Sequence, residues 1–143
     1  MKLTPKRISV LVICSRYRHQ LPLKPDVVIG VEAGCLEIID RHLPLHWAVG
    51  DFDHVNPEQY ALIKQQSGRV WVKNNDDQLD GELGIKIALK HYPTADICLI
   101  AHSNQTDLLV SGINLVHQYH LTAWLNDSYV KALPPGRHQI PYF

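Results

Sequence analysis

Residues 26–53 have the sequence DVVIGVEAGCLEIIDRHLPLHWAVGDFD, in which two apolar runs flank one helical pattern. The runs at 26–32 and 46–49 are short and apolar, which predicts two buried strands. Apolar residues spaced between Leu36 and Leu43 predict a short helix between those strands. A strand, a helix and a second strand in this order are typical of a parallel sheet.

The same alternation continues through most of the chain. Further strands are predicted at 8–14, 69–73 and 96–101, and further helices from Asn56 to Gly68, from about Asp77 to before Pro93, and at 106–119. The sequence therefore predicts an α/β fold with a doubly wound, mostly parallel sheet and helices on both faces. Active sites of such sheets lie beyond the carboxyl ends of the strands.

The pattern changes after residue 119. Two short apolar runs, 121–125 and 129–133, flank the turn residues Asn126-Asp-Ser128 and predict a β-hairpin. A lone hairpin is marginally stable in water, so we expect 121–143 to pair with a partner chain or to belong to a longer protein. We therefore predict an α/β domain over 1–119 and the incomplete start of a small β domain over 120–143.

The composition is that of one globular domain. The chain has 143 residues, 45% of them hydrophobic and 20% charged, and its formal net charge of zero gives no support to a nucleic-acid or membrane partner. Cys14, Cys35 and Cys98 are an odd number and lie in apolar stretches, which favours buried, reduced thiols in a cytoplasmic protein. Trp47 and Trp71 alternate with strand residues, which predicts that both lie in the core.

Acidic residues gather behind two of the predicted strands. Seven of the 14 acids lie between residues 51 and 82, and four of these fall within 76–82. Alternate residues of an extended segment point the same way, so Asp51 and Asp53 can share one divalent ion. Asp77 and Asp80 are one helical turn apart. A helix dipole favours one or two acids at its start, but four exceed that requirement, and the pattern predicts a divalent-metal phosphoryl-transfer site.

Three segments in this order resemble the catalytic domain of the thiamine pyrophosphokinase family: DVVIGVEAG at 26–34, VGDFD at 49–53 and DQLDGE at 77–82. The family carries Asp-Gly-Gly, then Gly-Asp-x-Asp-Ser, then Lys-Asp-x-Thr-Asp-x-Glu at these places. Here Glu32 stands for the first Asp, His54 for the Ser and Leu79 for the Thr. Where the family has Gly-Gly-Arg-x-Asp-His, this chain keeps Asp107 and has Gln105 in place of the Arg.

The resemblance implies a reaction, a cofactor and a set of site residues. The family moves the terminal diphosphate of ATP to the hydroxyethyl oxygen of thiamine with Mg²⁺, and it works as a homodimer of subunits in which a β-sandwich follows the α/β domain. By position, four residues would hold Mg²⁺ and the polyphosphate, with Glu82 in support: Asp51, Asp53, Asp77 and Asp80. Seven others are implied in nucleotide or substrate binding: Ser15, Arg16, Glu32, Gly34, His54, Gln105 and Asp107.

Two alternatives remain open from the residues. The departures at Glu32-Ala33, Leu79 and Gln105 also suit a relative that binds nucleotide or metal without turnover. The segment Asp51-Phe-Asp-His-Val55 fits the nucleophile motif of haloacid-dehalogenase phosphatases, in which Asp51 would be attacked by phosphate. That family needs further strands between this motif and its distal acidic pair, and residues 54–75 leave no room for them.

Overall fold

The computed structural model describes residues 7–72, 80–102, 106–132 and 136. In this part of the chain, strands and helices alternate as the sequence predicts. The elements are β1 Ser9–Ile13, β2 Val27–Val31, α1 Gly34–Asp40, β3 Leu45–Gly50, α2 Pro57–Gln66, β4 Ser67–Val72, α3 Asp80–His91, β5 Asp96–Ala101, α4 Thr106–Tyr119, β6 Thr122–Leu125 and β7 Ser128–Lys131.

The strands form one sheet in the order β4-β3-β2-β1-β5-β6-β7. All neighbouring pairs are parallel except β6 and β7. The chain runs outward from β1 to β4 and then returns to the other side of β1 for β5. This reversal places a topological switch point, where ligands of open α/β sheets bind, between the carboxyl ends of β1 and β5. The predicted mostly parallel α/β fold is confirmed.

Both faces of the sheet are covered by helices. Alternate residues of a strand point to opposite faces, so β1 contributes Leu11 to one apolar cluster and Val12 to the other. The Leu11 cluster includes residues of α1 and α2, whereas the Val12 cluster includes residues of α3 and α4. Among the described residues, no helix combines the length and apolar character needed to cross a membrane.

The predicted hairpin is present, and it extends the sheet. Its first strand, β6, pairs in parallel with β5, and β7 pairs with β6. The described part of the hairpin therefore has its pairing partner within the same chain. The division of the chain into domains at residues 119 and 120 stays a prediction.

The prediction that both tryptophans lie in the core is wrong for one of them. Trp47 on β3 is 7% exposed, but Trp71 on β4 is 41% exposed. The reason is that β4 is the edge strand of the sheet, where the Lys90 ammonium lies 5.8 Å from the centre of the Trp71 ring. The three cysteines form no disulfide; Cys35 and Cys98 are buried, and Cys14 is partly exposed.

Candidate functional site

Three carboxylates meet at the carboxyl edge of the sheet. Glu32 directly follows β2, and Asp51 and Asp53 follow β3. Each offers one oxygen, and these oxygens all lie within 4.8 Å of one another. The Glu32 side chain is buried, whereas Asp51 and Asp53 are exposed. Oxygen ligands from a few carboxylates, with open positions for water and phosphate, are the donor set that Mg²⁺ prefers, so the three residues fit this ion.

Glu32 organises the loop that carries the two aspartates. Its Oε1 accepts a hydrogen bond from the backbone N–H of Asp51 (2.8 Å), and its Oε2 accepts one from Phe52 (3.1 Å). Gly50 makes this approach possible, because its φ is +140° and a Cβ built there would lie 2.3 Å from Glu32 Oε1. The glycine of the Gly-Asp-Phe-Asp segment is thus required by the position of a carboxylate from the neighbouring strand.

The loop between the carboxylates is held in a strained conformation. Glu32 and Phe52 have φ values of 53° and 58°, and such left-handed backbone at non-glycine residues costs on the order of 1–3 kcal/mol each. Phe52 is buried and its ring stacks on Tyr60 of α2 at 5.1 Å. The buried ring anchors the loop between two exposed aspartates. Pro57 starts α2 directly afterwards, and a capping box between Asn56 and Gln59 fixes that start, as the sequence predicts for the cap.

The proximity of the acids changes their proton affinities. Burial, together with a hydrogen bond shared with the neighbouring Asp51 carboxyl, raises the pKa of Glu32 from 4.5 to about 7. The hydrogen bond shared with Asp51 also raises the pKa of Asp53. Groups that resist ionisation because their neighbours are anionic are stabilised in the charged form by a bound cation. The electrostatics of this cluster therefore favour a divalent ion.

Glu82 does not belong to the group of three carboxylates. Its carboxylate accepts a hydrogen bond from the Tyr119 hydroxyl (3.1 Å) and lies 3.6 Å from the Lys86 ammonium. These contacts tie the first turn of α3 to the end of α4, and among the described residues Glu82 is not grouped with the three carboxylates. Asp80 starts α3 and Asp107 lies in the first turn of α4, and only their backbone positions are described. The predicted residues Asp77 and Gln105 lie outside the described residues.

The remaining predicted residues have identifiable local roles. Arg16 pairs with Glu37 and Asp40 of α1, and the Ser15 hydroxyl donates to the Arg16 carbonyl (3.2 Å). Gly34 starts α1, where an added Cβ would lie 1.9 Å from the Ile13 carbonyl oxygen, so it allows close packing of α1 on β1.

His54 extends the carboxylate loop. Its Nε2 lies 3.5 Å from Asp53 Oδ1, and the side chain is mostly exposed. It is therefore a predicted site residue that lies next to the exposed end of the carboxylate cluster.

The structure also contains a cavity of about 460 Å³ that sequence reasoning mostly missed. It lies at the carboxyl ends of β1, β5 and β6. Nine residues line it: Arg16, Tyr17, Arg18, His19, Ala101, His102, Trp124, Asn126 and Asp127. Arg16 alone among them was predicted as a site residue. The available signal was the run Arg16-Tyr-Arg-His19, which puts three basic residues directly behind a buried strand.

Comparisons with known proteins give matches among solved structures. No family model matches the chain, and no curated protein matches it in sequence. A thiamin pyrophosphokinase family protein from Enterococcus faecalis is 23% identical with a TM-score of 0.69, over 82% of this chain and 61% of that one. Thiamine pyrophosphokinase from Bacillus subtilis is 19% identical with a TM-score of 0.64, over 82% and 59%. Yeast thiamin pyrophosphokinase is 12% identical with a TM-score of 0.68, over 85% and 60%.

These likenesses concern the fold, because sequence identity is low. The chain spans about three fifths of the length of the solved structures that it matches. The expected resemblance to this family is confirmed at the level of the fold. The chain therefore has the α/β fold found in the thiamin pyrophosphokinases.

Proposed function

We propose that the protein transfers a diphosphate group from ATP to thiamine in a Mg²⁺-dependent reaction that yields thiamine diphosphate and AMP. One observation carries this proposal. Glu32, Asp51 and Asp53 place three carboxylate oxygens within 4.8 Å of one another, at the carboxyl edge of a fold shared with thiamin pyrophosphokinases. The homodimer and the second domain implied by the resemblance belong to the same proposal, and the mass of the protein in solution tests the dimer.

The reaction forms one bond and breaks one. The hydroxyethyl oxygen of thiamine attacks the β-phosphorus of ATP, and the bond from that phosphorus to the oxygen bridging the α-phosphate breaks. The bridging oxygen leaves on AMP with the electron pair, and the hydroxyl proton passes to a base. In phosphoryl transfer, positioning and charge stabilisation provide most of the acceleration.

The three carboxylates of the cluster would have different roles in this reaction. Glu32, Asp51 and Asp53 would hold Mg²⁺, which neutralises phosphate charge and orients the diphosphate. Buried Glu32 fixes the backbone of the loop, so the exposed carboxylates stay in place when substrate arrives. An exposed acid of the cluster, Asp51 or Asp53, would accept the hydroxyl proton.

A direct assay tests the proposal. Thiamine, ATP and Mg²⁺ are incubated with the protein, and AMP and thiamine diphosphate are quantified. We expect Asp51→Asn to lower the rate at least about 100-fold, because it removes metal-held stabilisation of the transition state. Glu58→Gln is the matched control, since Glu58 is an exposed acid of α2 outside the cluster. Absence of AMP at high protein concentration contradicts the catalytic proposal.

A non-catalytic relative is the second candidate. The contacts of Glu82 favour this function. The resemblance implies that Glu82 supports the metal site, but its carboxylate is instead bound to Tyr119 and paired with Lys86. Mg²⁺-dependent ATP binding without AMP release would support this function. Hydrolysis of a phosphate monoester that is lost in Asp51→Asn would instead indicate the phosphatase.

A further inference from the structure

The sheet ends in two edge strands, β4 and β7, which differ in how they are protected. An edge strand presents unpaired backbone N–H and C=O groups, and proteins commonly protect it by keeping it short or by placing lysine on it. Strand β7 has four residues and ends at Lys131. Strand β4 has six residues, and no other strand of the described chain pairs with its outer side. The outer side of β4 can therefore accept a further strand.

Apolar side chains line both faces of the β4 edge. Val70, Trp71 and Val72 are each 36–45% exposed. Their neighbours in the same rows of β3, Ala48 beside Val70 and Val49 beside Trp71, are fully buried. β-Branched and aromatic residues suit a strand that has neighbours on both sides. The composition of β4 is therefore that of an inner strand.

A second copy of the same strand fits this edge. Two β4 strands that run antiparallel are related by a twofold axis, so a single pairing covers the edge of both copies. Pairing of β4 with β7 of another copy would leave one edge open on each new subunit, and the assembly would grow without closing. Strand β7 also offers only four residues for the six of β4.

The charge of Arg69 selects the register of such a pair. Arg69 is the only charged residue of β4. Because side chains alternate between the two faces, one residue must face its own copy at the twofold axis, and an axis at Arg69 or at Val70 keeps most of the strand paired. An axis at Arg69 would place two guanidinium groups opposite each other, which is destabilising. An axis at Val70 places Arg69 opposite the partner's Trp71, and a cation beside an indole ring is favourable.

We infer that two copies of the chain associate through β4, antiparallel and centred on Val70, to form one continuous sheet. The Arg69 guanidinium already lies 5.3 Å from the ring centre of Trp47, on the face of the sheet that carries Trp71. One strand from each copy is a small interface beside the roughly 1,600 Å² of a standard complex. We therefore expect a monomer at about 1 µM and a dimer at about 1 mM.

Disulfide cross-linking of two cysteine variants tests the pairing and its register. Both are made in a Cys14→Ser background, where the remaining native thiols are buried. In the inferred dimer Val70 faces its own copy, and the Cα atoms of directly opposite residues lie about 4.5–5.5 Å apart, which a disulfide can span. We expect Val70→Cys to form a disulfide-linked dimer at least about 10-fold faster than Val72→Cys under the same oxidising conditions.

Val72→Cys is the matched control for this experiment. Val72 has the same residue type, the same face of β4 and a similar exposure as Val70. In the inferred register Val72 lies opposite Gly68, so the two copies of Val72 are four positions apart along the strands. A rise of about 3.3 Å per residue puts them beyond the reach of a disulfide.

Sedimentation equilibrium of the full chain, between about 1 µM and 1 mM, measures the association itself. We expect Trp71→Lys to raise the dimer dissociation constant at least about 10-fold, because it removes the ring from both symmetric contacts and places a lysine opposite Arg69. Val110→Lys makes the same change of charge at an exposed apolar residue of α4, and it should stay within about twofold of the unmodified protein. If Trp71→Lys fails to fold, as judged by its thermal melt, Arg69→Gln should weaken the dimer about threefold or more.

Three results would each overturn the inference. The first is a protein that remains a monomer at about 1 mM. The second is cross-linking of Val70→Cys and Val72→Cys at equal rates, which indicates random collision. The third is a mass that grows beyond the dimer, which indicates open-ended pairing.

The inference goes beyond the proposed function, and the same proteins separate the two. A dimer that Trp71→Lys leaves unchanged and that Val70→Cys does not cross-link supports the proposed homodimer through another surface and contradicts pairing through β4. Rapid cross-linking of Val70→Cys in a protein that forms no thiamine diphosphate supports pairing through β4 and contradicts the diphosphotransferase.

Discussion

Replacing Glu32 by glutamine tests whether the buried carboxylate makes folding depend on pH. Glutamine has nearly the same shape, and its single carbonyl oxygen can accept hydrogen bonds from the N–H groups of Asp51 and Phe52, which lie 2.8 Å and 3.3 Å from Glu32 Oε1. The substitution therefore removes the titration and leaves the packing of the loop largely intact. Any change in the pH dependence of stability then reports on the carboxyl group.

The sign and size of the effect follow from the raised pKa. Folding raises the pKa of Glu32 from 4.5 to about 7, mainly because burial disfavours the charged form. Between these values the folded protein binds the proton more tightly than the unfolded chain, so the free energy of unfolding falls as pH rises through this window. A tenfold change in proton affinity corresponds to about 1.4 kcal/mol, so Glu32 accounts for a loss of about 3 kcal/mol between pH 4.5 and 7.5.

Urea unfolding at pH 5 and pH 7.5, with a chelator present, measures this loss. We expect the unmodified protein to lose about 2 kcal/mol more than Glu32→Gln over this interval, which is narrower than the full titration window. Glu58→Gln, which changes an exposed acid of α2, should retain the pH dependence of the unmodified protein. Identical pH dependence in Glu32→Gln and the unmodified protein would refute the reasoning.

Two further predictions follow from the packing. Gly50→Ala forces a Cβ to within 2.3 Å of Glu32 Oε1, so we expect it to lower the free energy of unfolding by about 2–4 kcal/mol in urea titrations. Gly81→Ala, where the nearest atom lies at an ordinary 3.5 Å inside a helix, should be neutral or stabilising, and a similar loss in both variants contradicts the explanation. Trp47→Ala should lower the thermal midpoint far more than Trp71→Ala, because Trp47 is 7% exposed and Trp71 is 41% exposed, and equal shifts would show that the edge strand is covered in solution.

Local patterns located the elements well where apolar periodicity is strong. The predicted strand at 96–101 and helix at 106–119 coincide with β5 and α4. The cap of α2 was also predictable, since Asn56 followed by Pro57 has a specific meaning at a helix start. The helix predicted from about Asp77 begins at Asp80 within the described residues.

The candidate site was predictable only in part. The alternation of an extended segment was enough to pair Asp51 with Asp53. The proximity of Glu32 to both aspartates depends on β2 lying beside β3, and that contact joins residues about 20 positions apart. The position of Glu82 outside the cluster could not be predicted either. Its contact with Tyr119 depends on how α3 and α4 pack, and the local sequence pattern does not indicate this contact.

By itself, the sequence determined the α/β class, the order of the elements and the concentration of acids behind two strands. These properties depend on neighbouring residues, and hydrophobic periodicity records them directly. Only the tertiary structure decided the strand order, the exposure of Trp71 on the edge strand, the third carboxylate and the cavity built from three separate loops. These features depend on contacts between distant segments, whose free energy comes from burial and pairing across the whole sheet.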